Sequence, residues 1–199
     1  MKHVFGLVAL ALAAVAPAAY SQAAGDIVAR VRAINLDPAD KDTIAITDVT
    51  VNSKVIPEVD FTYYFSPNLA AELVLTIPQK HDVRSTAHGG KIGTLKHLPP
   101  TLSAQYHFAK MGAFKPYLGA GLNFTFFSDV DLPAGFTIDK SSVGLALGAG
   151  FDVALGGAWS LNVDIKKVQI RTDLMLNGTS LGTIKVDPIL FGVGVGYKF

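Results

Sequence analysis

The stretch VIPEVDFTYYF (Val55–Phe65) decides the fold. Val55, Pro57, Val59, Phe61, Tyr63 and Phe65 fall on one side, and Ile56, Glu58, Asp60, Thr62 and Tyr64 on the other. That is the two-residue period of a β-strand, whose successive side chains point to opposite faces. After a turn at Ser66-Pro67-Asn68 the pattern resumes. Leu69, Ala71, Leu73, Leu75 and Ile77 lie on one face, with Ala70, Glu72, Val74 and Thr76 on the other. It recurs six more times, over 27–33, 98–108, 114–126, 142–153, 159–166 and 189–199. The reading is therefore all-β, with eight antiparallel strands.

The connections carry a rhythm. Short ones sit near Ser66–Asn68, Ala109–Ala113 and Leu155–Ala158; long ones lie near Leu36–Ser53, Pro78–Gly93, Ser128–Lys140 and Arg171–Gly182. Eight strands joined in this alternation place both termini on the short-turn side. That is the layout of a transmembrane barrel with short periplasmic turns and long external loops.

Alternation alone leaves open which face meets lipid, and the polar face answers. A water-soluble barrel would show solvent a face dense in Lys, Glu and Asp. Here that face is rich in Gly, Ser, Thr and Asn with isolated charges, which suits the crowded lumen of an eight-stranded barrel. Arg30, Arg32, Lys96, Lys166 and Lys198 are set against Glu58, Asp60, Glu72, Asp152 and Asp164, so an internal ion-pair network is expected. The opposite face turns aromatic near strand ends, at Phe61, Tyr63, Phe65, Tyr106, Phe108, Trp159, Tyr197 and Phe199, with Tyr117 grouped among them; such rings favour a bilayer interface. Sheet edges exposed to hydrocarbon would leave hydrogen bonds unmade, so the sheet must close.

Composition agrees. Half of the 199 residues are apolar and 17% are charged, against roughly 25% in an average soluble domain. A formal charge of +1 gives no basic excess for nucleic acid, and the absence of cysteine removes disulfide and thiolate chemistry. Lys2 and His3 precede an apolar run from Val4 to about Ala16, then small residues; a cleavable signal peptide is expected over residues 1–23, leaving 24–199 as the barrel. Localisation in a bacterial outer membrane follows.

Several segments go beyond architecture: NLAAELVLTIPQKHDV (Asn68–Val83), KHLPPTLSAQYHF (Lys96–Phe108), FKPYLGAGLNFTFFSD (Phe114–Asp129) and VDPILFGVGVGYKF (Val186–Phe199). Together they resemble the OmpW family over nearly the whole mature chain. The resemblance implies a narrow eight-stranded outer-membrane channel for small, mainly hydrophobic compounds; members include a channel associated with alkane uptake. It also implies a hydrophobic funnel at the external end and release of the compound through the barrel wall into lipid. The family's constriction maps to Val74 and Lys166, with Ile56 grouped beside them. Lys166 departs from the large aromatic of some members, which argues against a dry gate there. The final strand, with Tyr197 and Phe199, is similar to the signal read by the barrel-assembly machinery. That machinery and periplasmic chaperones are therefore expected partners during biogenesis, with outer-membrane lipid and hydrophobic solutes as partners afterwards.

Other readings carry less. Glu58, Asp60 and Glu72 could act as an acid–base group, yet no nucleophile with a positioned His accompanies them and the cations explain them, so no enzyme is expected. His81, His88, His97 and His107 match no compact ligand spacing, so neither a metal nor another cofactor is expected. The glycines at 119, 121, 144, 148, 150, 192, 194 and 196 recur at strand spacing with no following helix, unlike a nucleotide fingerprint. The alternative function is a structural or adhesive barrel acting as a surface receptor. Its loop Ala39–Ser53, with Ile44, Ile46, Val49 and Val51, would form a β-ribbon extension.

Overall fold

A strand in hydrocarbon must pair along both edges, and this chain meets that demand by closing on itself. The computed structural model describes residues 22–38, 41–42, 49–51, 53–85 and 90–199. Eight wall strands run Ile27–Asp37, Lys54–Tyr64, Leu69–Thr76, Thr101–His107, Phe114–Asp131, Ser141–Gly156, Trp159–Val168 and Ile189–Lys198. Each pairs antiparallel with its chain neighbour in the wall, and the eighth returns to the first, from Val28↔Lys198 to Asp37↔Ile189. All but two of the signal-peptide residues lie outside the described residues.

Parity sorts the side chains as the alternation predicts. On the first strand Val28, Arg30, Arg32, Ile34 and Leu36 are buried, whereas Val31 is 58% exposed. Outward apolar side chains such as Val55, Leu73, Leu102, Leu118, Leu145, Leu147, Ile165 and Val195 are likewise exposed around the wall. Only hydrocarbon satisfies a continuous apolar surface of this kind without association. At the short-turn end it carries ring pairs: Tyr63–Phe65, Tyr106–Phe108, Phe114–Phe151, Trp159–Tyr197 and Tyr197–Phe199, all with centroids within 5.3 Å. Among inward glycines, Gly194 leaves room for the Arg32 stem. A Cβ there would lie 2.6 Å from Arg32 Cγ and closer still to the Val31 carbonyl oxygen.

The long connections are more structured than expected. The Pro78–Gly93 region belongs to a hairpin, Gln79–Ser85 with Gly90–Leu98, that joins the upper part of the fifth wall strand and Val49–Val51. Arg171–Leu176 and Thr179–Lys185 form a second hairpin, flanked by Phe136–Ile138 and Lys41–Asp42. The expected Ala39–Ser53 ribbon is not a self-paired hairpin where it is described, since its two short strands pair with different partners; residues 39–40, 43–48 and 52 lie outside the described residues. Nor does the fourth wall strand begin at Leu98. Pro99 and Pro100 interrupt it, because proline cannot donate to a ladder, and Leu98 ends the external hairpin.

Between the hairpins lies an apolar core of Val83, Leu95, Phe127, Ala146, Val168, Ile170, Leu174, Ile184 and Val186. The barrel thus has two tiers, a polar one inside the wall and an apolar one at the external end.

Candidate functional site: a polar plug beneath an apolar cavity

Inward parity on strands one to three, six and seven sends charged side chains to the barrel axis. Arg30 reaches two neighbours, with Nη1 2.9 Å from Asp60 Oδ1 and Nη2 3.0 Å from Asp152 Oδ2. Its Nε also donates to Asp152 Oδ1 at 3.3 Å, so the Asp152 pairing is bidentate, the geometry that suits a guanidinium. Arg32 Nη2 stands 2.7 Å from Glu58 Oε1, 2.8 Å from Asp60 Oδ2 and 3.1 Å from Glu72 Oε1. Lys166 Nζ lies 3.1 Å from Asp164 Oδ1, 3.5 Å from Glu72 Oε2 and 3.7 Å from Glu58 Oε1. All eight of these side chains are buried, so the pairs act in a low dielectric where each charge depends on its partners.

Two expected members sit elsewhere. Lys96 is outside the lumen, half-exposed in the external hairpin, 2.6 Å from Asp129 Oδ2. Lys96 shares the even parity of the outward Leu102, so alternation itself sets it against a lumenal place, and it precedes the Pro99-Pro100 break that ends the wall strand. The ammonium's hydrogen bond and its charge hold the Asp129 carboxyl below its usual range. Lys198 stands at the lower rim, 3.2 Å from Asp26. The plug therefore contains three cations and five carboxylates, not the balanced set the alternation suggested.

Tyr117 departs most from expectation: it is not an outward ring but is buried in the lumen, donating from Oη to Asp164 Oδ2 at 2.8 Å. Strict parity sets it with Lys115 and Gly119, two residues either side. Below it Tyr64, His107 and Tyr117 stack with successive centroids 4.9 Å apart, and Lys115 Nζ lies 5.1 Å above the Tyr64 ring. Asn162 links the layers, donating to Asp152 Oδ1 at 3.0 Å and Tyr117 Oη at 3.2 Å.

Val74, Ile56 and Lys166 come together at the upper surface of this plug. With Leu36, Glu58, Thr76, Pro99, Val168, Ile170 and Leu190 they line a cavity of about 20 Å³, enough for one water-sized group. Thr76 Oγ1 is buried there without a hydrogen-bond partner.

The wall is interrupted beside this cavity. Pairing of the third and fourth wall strands ends at Val74↔Thr101, and pairing resumes only at Gln79↔His97 in the external hairpin. Leu75–Pro78 and Leu98–Pro100 face each other across the break without a ladder. Pro78, Pro99 and Pro100 lie within these segments and supply no N–H. Side chains fill some of the freed acceptors. Gln79 Nε2 donates to the Ile77 carbonyl at 3.0 Å, and Asn123 Nδ2 donates to the Pro99 carbonyl at 3.1 Å.

Comparison with known proteins bears on this arrangement. The model of the OmpW family matches residues 23–199. The chain belongs to the OmpW family. It is 32% identical to outer membrane protein W of Vibrio cholerae, over all of this chain and 99% of that protein. It is 39% identical to an outer-membrane protein of Sinorhizobium fredii named y4mB, over 93% of this chain and 86% of the relative. The crystal structure of OprG from Pseudomonas aeruginosa superposes with a TM-score of 0.78 at 32% identity, covering 91% of this chain and 99% of that one. This OmpW-family chain is an outer-membrane β-barrel. Among the described residues, no cluster of three or more His, Asp or Glu is arranged to hold a metal ion.

Proposed function

We propose that the protein is a conduit delivering small, mainly hydrophobic compounds from the external side into the outer membrane. The observation that carries this reading is the missing ladder between Leu75–Pro78 and Leu98–Pro100, each held only on its other side, which adjoins an apolar cavity standing on a polar floor. A compound entering from outside meets the apolar tier first. Straight descent would require it to displace a plug of eight mutually paired, buried charges. Sideways, it meets a break with no ladder hydrogen bonds to rupture, and then hydrocarbon.

In this reading Ile56 and Val74 form the apolar wall of the path just above the polar floor, and Lys166 marks where it ends. The strands carrying Arg30, Arg32, Glu58, Asp60, Glu72, Asp152 and Asp164 are held together from within, so the lower barrel stays rigid while the upper side chains repack. Residues 1–23 act as the export signal, and the outward Tyr197 and Phe199 present the final strand to the assembly machinery and its chaperones.

The test measures two fluxes through the purified protein. Proteoliposomes should take up a fluorescent polyaromatic hydrocarbon faster than protein-free liposomes, while planar bilayers show little ionic conductance. Steady ion conductance with no gain in hydrocarbon uptake would overturn the reading.

A further inference from the structure

The proline lip of the break hangs on side chains more than on backbone. Pro99 and Pro100 stand opposite Thr125 and Phe124 of the fifth wall strand, because the register runs unbroken from Thr101↔Asn123 to Leu98↔Phe126. The Phe124 N–H donates to the Pro100 carbonyl at 2.9 Å, but proline has no N–H to return the bond. The facing lip is better secured, since its ladder with the second wall strand runs up to Glu58↔Thr76. Of the two, the proline lip is the easier to move.

Asn123 takes the place of the missing ladder. It lies inward on the fifth wall strand, buried, with Nδ2 2.9 Å from Thr101 Oγ1, 3.1 Å from the Pro99 carbonyl and 3.3 Å from the Pro100 carbonyl. Its two hydrogens thus serve three acceptors, two of them on the lip. The Thr125 hydroxyl donates to Asn123 Oδ1 at 2.6 Å and so turns the NH2 end toward the prolines. Asn123, Thr101 and Pro99 also line the cavity, which puts this amide between the space inside and the lip. A cavity of about 20 Å³ holds one water-sized group, so a hydrocarbon passes only when a lip gives way. A side-chain amide lets go by turning to another rotamer, whereas a strand ladder has to come apart over several residues.

We propose that Asn123 is the latch of the lateral break, a positioning residue whose amide holds the proline lip closed at rest and releases it on turning away. The proposal rests on the conduit reading above and names the group that sets how readily, and how widely, the path opens.

Proteoliposome uptake of two fluorescent hydrocarbons, slim anthracene and broad perylene, tests it at matched protein density. Asn123→Ala should speed perylene about tenfold, the scale of one net hydrogen bond, and anthracene less, so the ratio of the two rates rises. Thr125→Val, which keeps the amide but loosens its orientation, should raise the ratio by a smaller factor. Pro100→Ala in the Asn123→Ala background restores an N–H opposite Phe124 and should bring the ratio back toward wild type, which a general loosening of the barrel would not allow. Hydrogen exchange of the Phe124 amide, followed by NMR in nanodiscs, should quicken in Asn123→Ala while the Val31 and Val195 amides hold their rates. An unchanged ratio in Asn123→Ala and Thr125→Val would overturn the latch and leave the conduit standing. Faster Phe124 exchange with no hydrocarbon uptake by any of the proteins would sink the conduit and keep the latch. Thr125→Val decides the matter alone where Asn123→Ala does not fold.

Discussion

The polar tier is built from the wall strands alone, whereas the apolar tier draws on the external hairpins as well, and the two are held in opposite ways. In the polar tier each charged group touches two or more partners from other strands, and glycines on the eighth strand leave room for the arginine stems. In the apolar tier the contacts are between apolar side chains, and the wall beside them loses its ladder where Pro78, Pro99 and Pro100 stand. Ion pairs in a dry interior are directional and break only at high cost, whereas apolar contacts are non-directional and tolerate repacking. The difference teaches that one barrel can be rigid where it must seal and yielding where it must admit a guest.

Breaking the polar tier should have the largest effect. Arg32→Met removes the partner of Glu58, Asp60 and Glu72 at once and should cost about 3–5 kcal/mol, read as a lowered urea midpoint in lipid vesicles. The lipid face gives a comparison of known scale. Leu147→Arg, at a mid-wall position 60% exposed to the bilayer, should cost about 2–4 kcal/mol in the same assay. A smaller loss tests the packing of the plug. A Cβ at Gly150 would lie 2.5 Å from Tyr117 Oη and 2.6 Å from both Tyr117 Cζ and the Val163 carbonyl oxygen, so Gly150→Ala should cost about 1–3 kcal/mol. If Gly150→Ala proves neutral, the account of Tyr117 as a packed member of the plug is wrong.

Lys96 sharpens the comparison from the outside. Its partner Asp129 has a carboxyl held below the ordinary range, so the pair contributes above that range and the contribution is lost as pH falls through the lowered value. Because both groups are exposed to water, Lys96→Ala should return the Asp129 titration upward, measured by carbon-detected NMR, with the unfolding midpoint little moved. A loss resembling that of Arg32→Met would mean that Lys96 belongs to the plug after all.

Much of this was legible in the sequence because a strand's period is two and a lipid-facing wall must be apolar on alternate residues. Val55–Phe65 alone gives both faces of the second wall strand, and the long-short rhythm of connections gives the strand count. The same parity brings Arg30, Arg32, Glu58, Asp60, Glu72, Asp152, Asp164 and Lys166 to the lumen. Their contacts were not legible, since Arg32 meets Asn162 and Asp164 only through closure and stagger of the barrel. Two signs in the sequence set Lys96 outside the lumen: it shares the even parity of the outward Leu102, and it lies before Pro99-Pro100, where the wall strand ends. Tyr117 has the aromatic character of the outward rings but the parity of the inward face, and parity decides its place. The external hairpins were hidden by charges such as Asp82, Lys91, Arg171 and Asp173, which blur alternation where both faces of a sheet approach water.

The central claim is that compounds leave through the unpaired stretch beside the apolar cavity. Continuing the register of Val74↔Thr101 sets Thr76 against Pro99 across that stretch, and the chain has no cysteine of its own. Delivery of a hydrophobic fluorophore into proteoliposome membranes, measured for the Thr76→Cys, Pro99→Cys double variant before and after oxidation with each single variant as control, tests the claim most directly. Delivery should fall to the protein-free level on oxidation and return on reduction. Unchanged delivery through a fully cross-linked barrel would contradict the account.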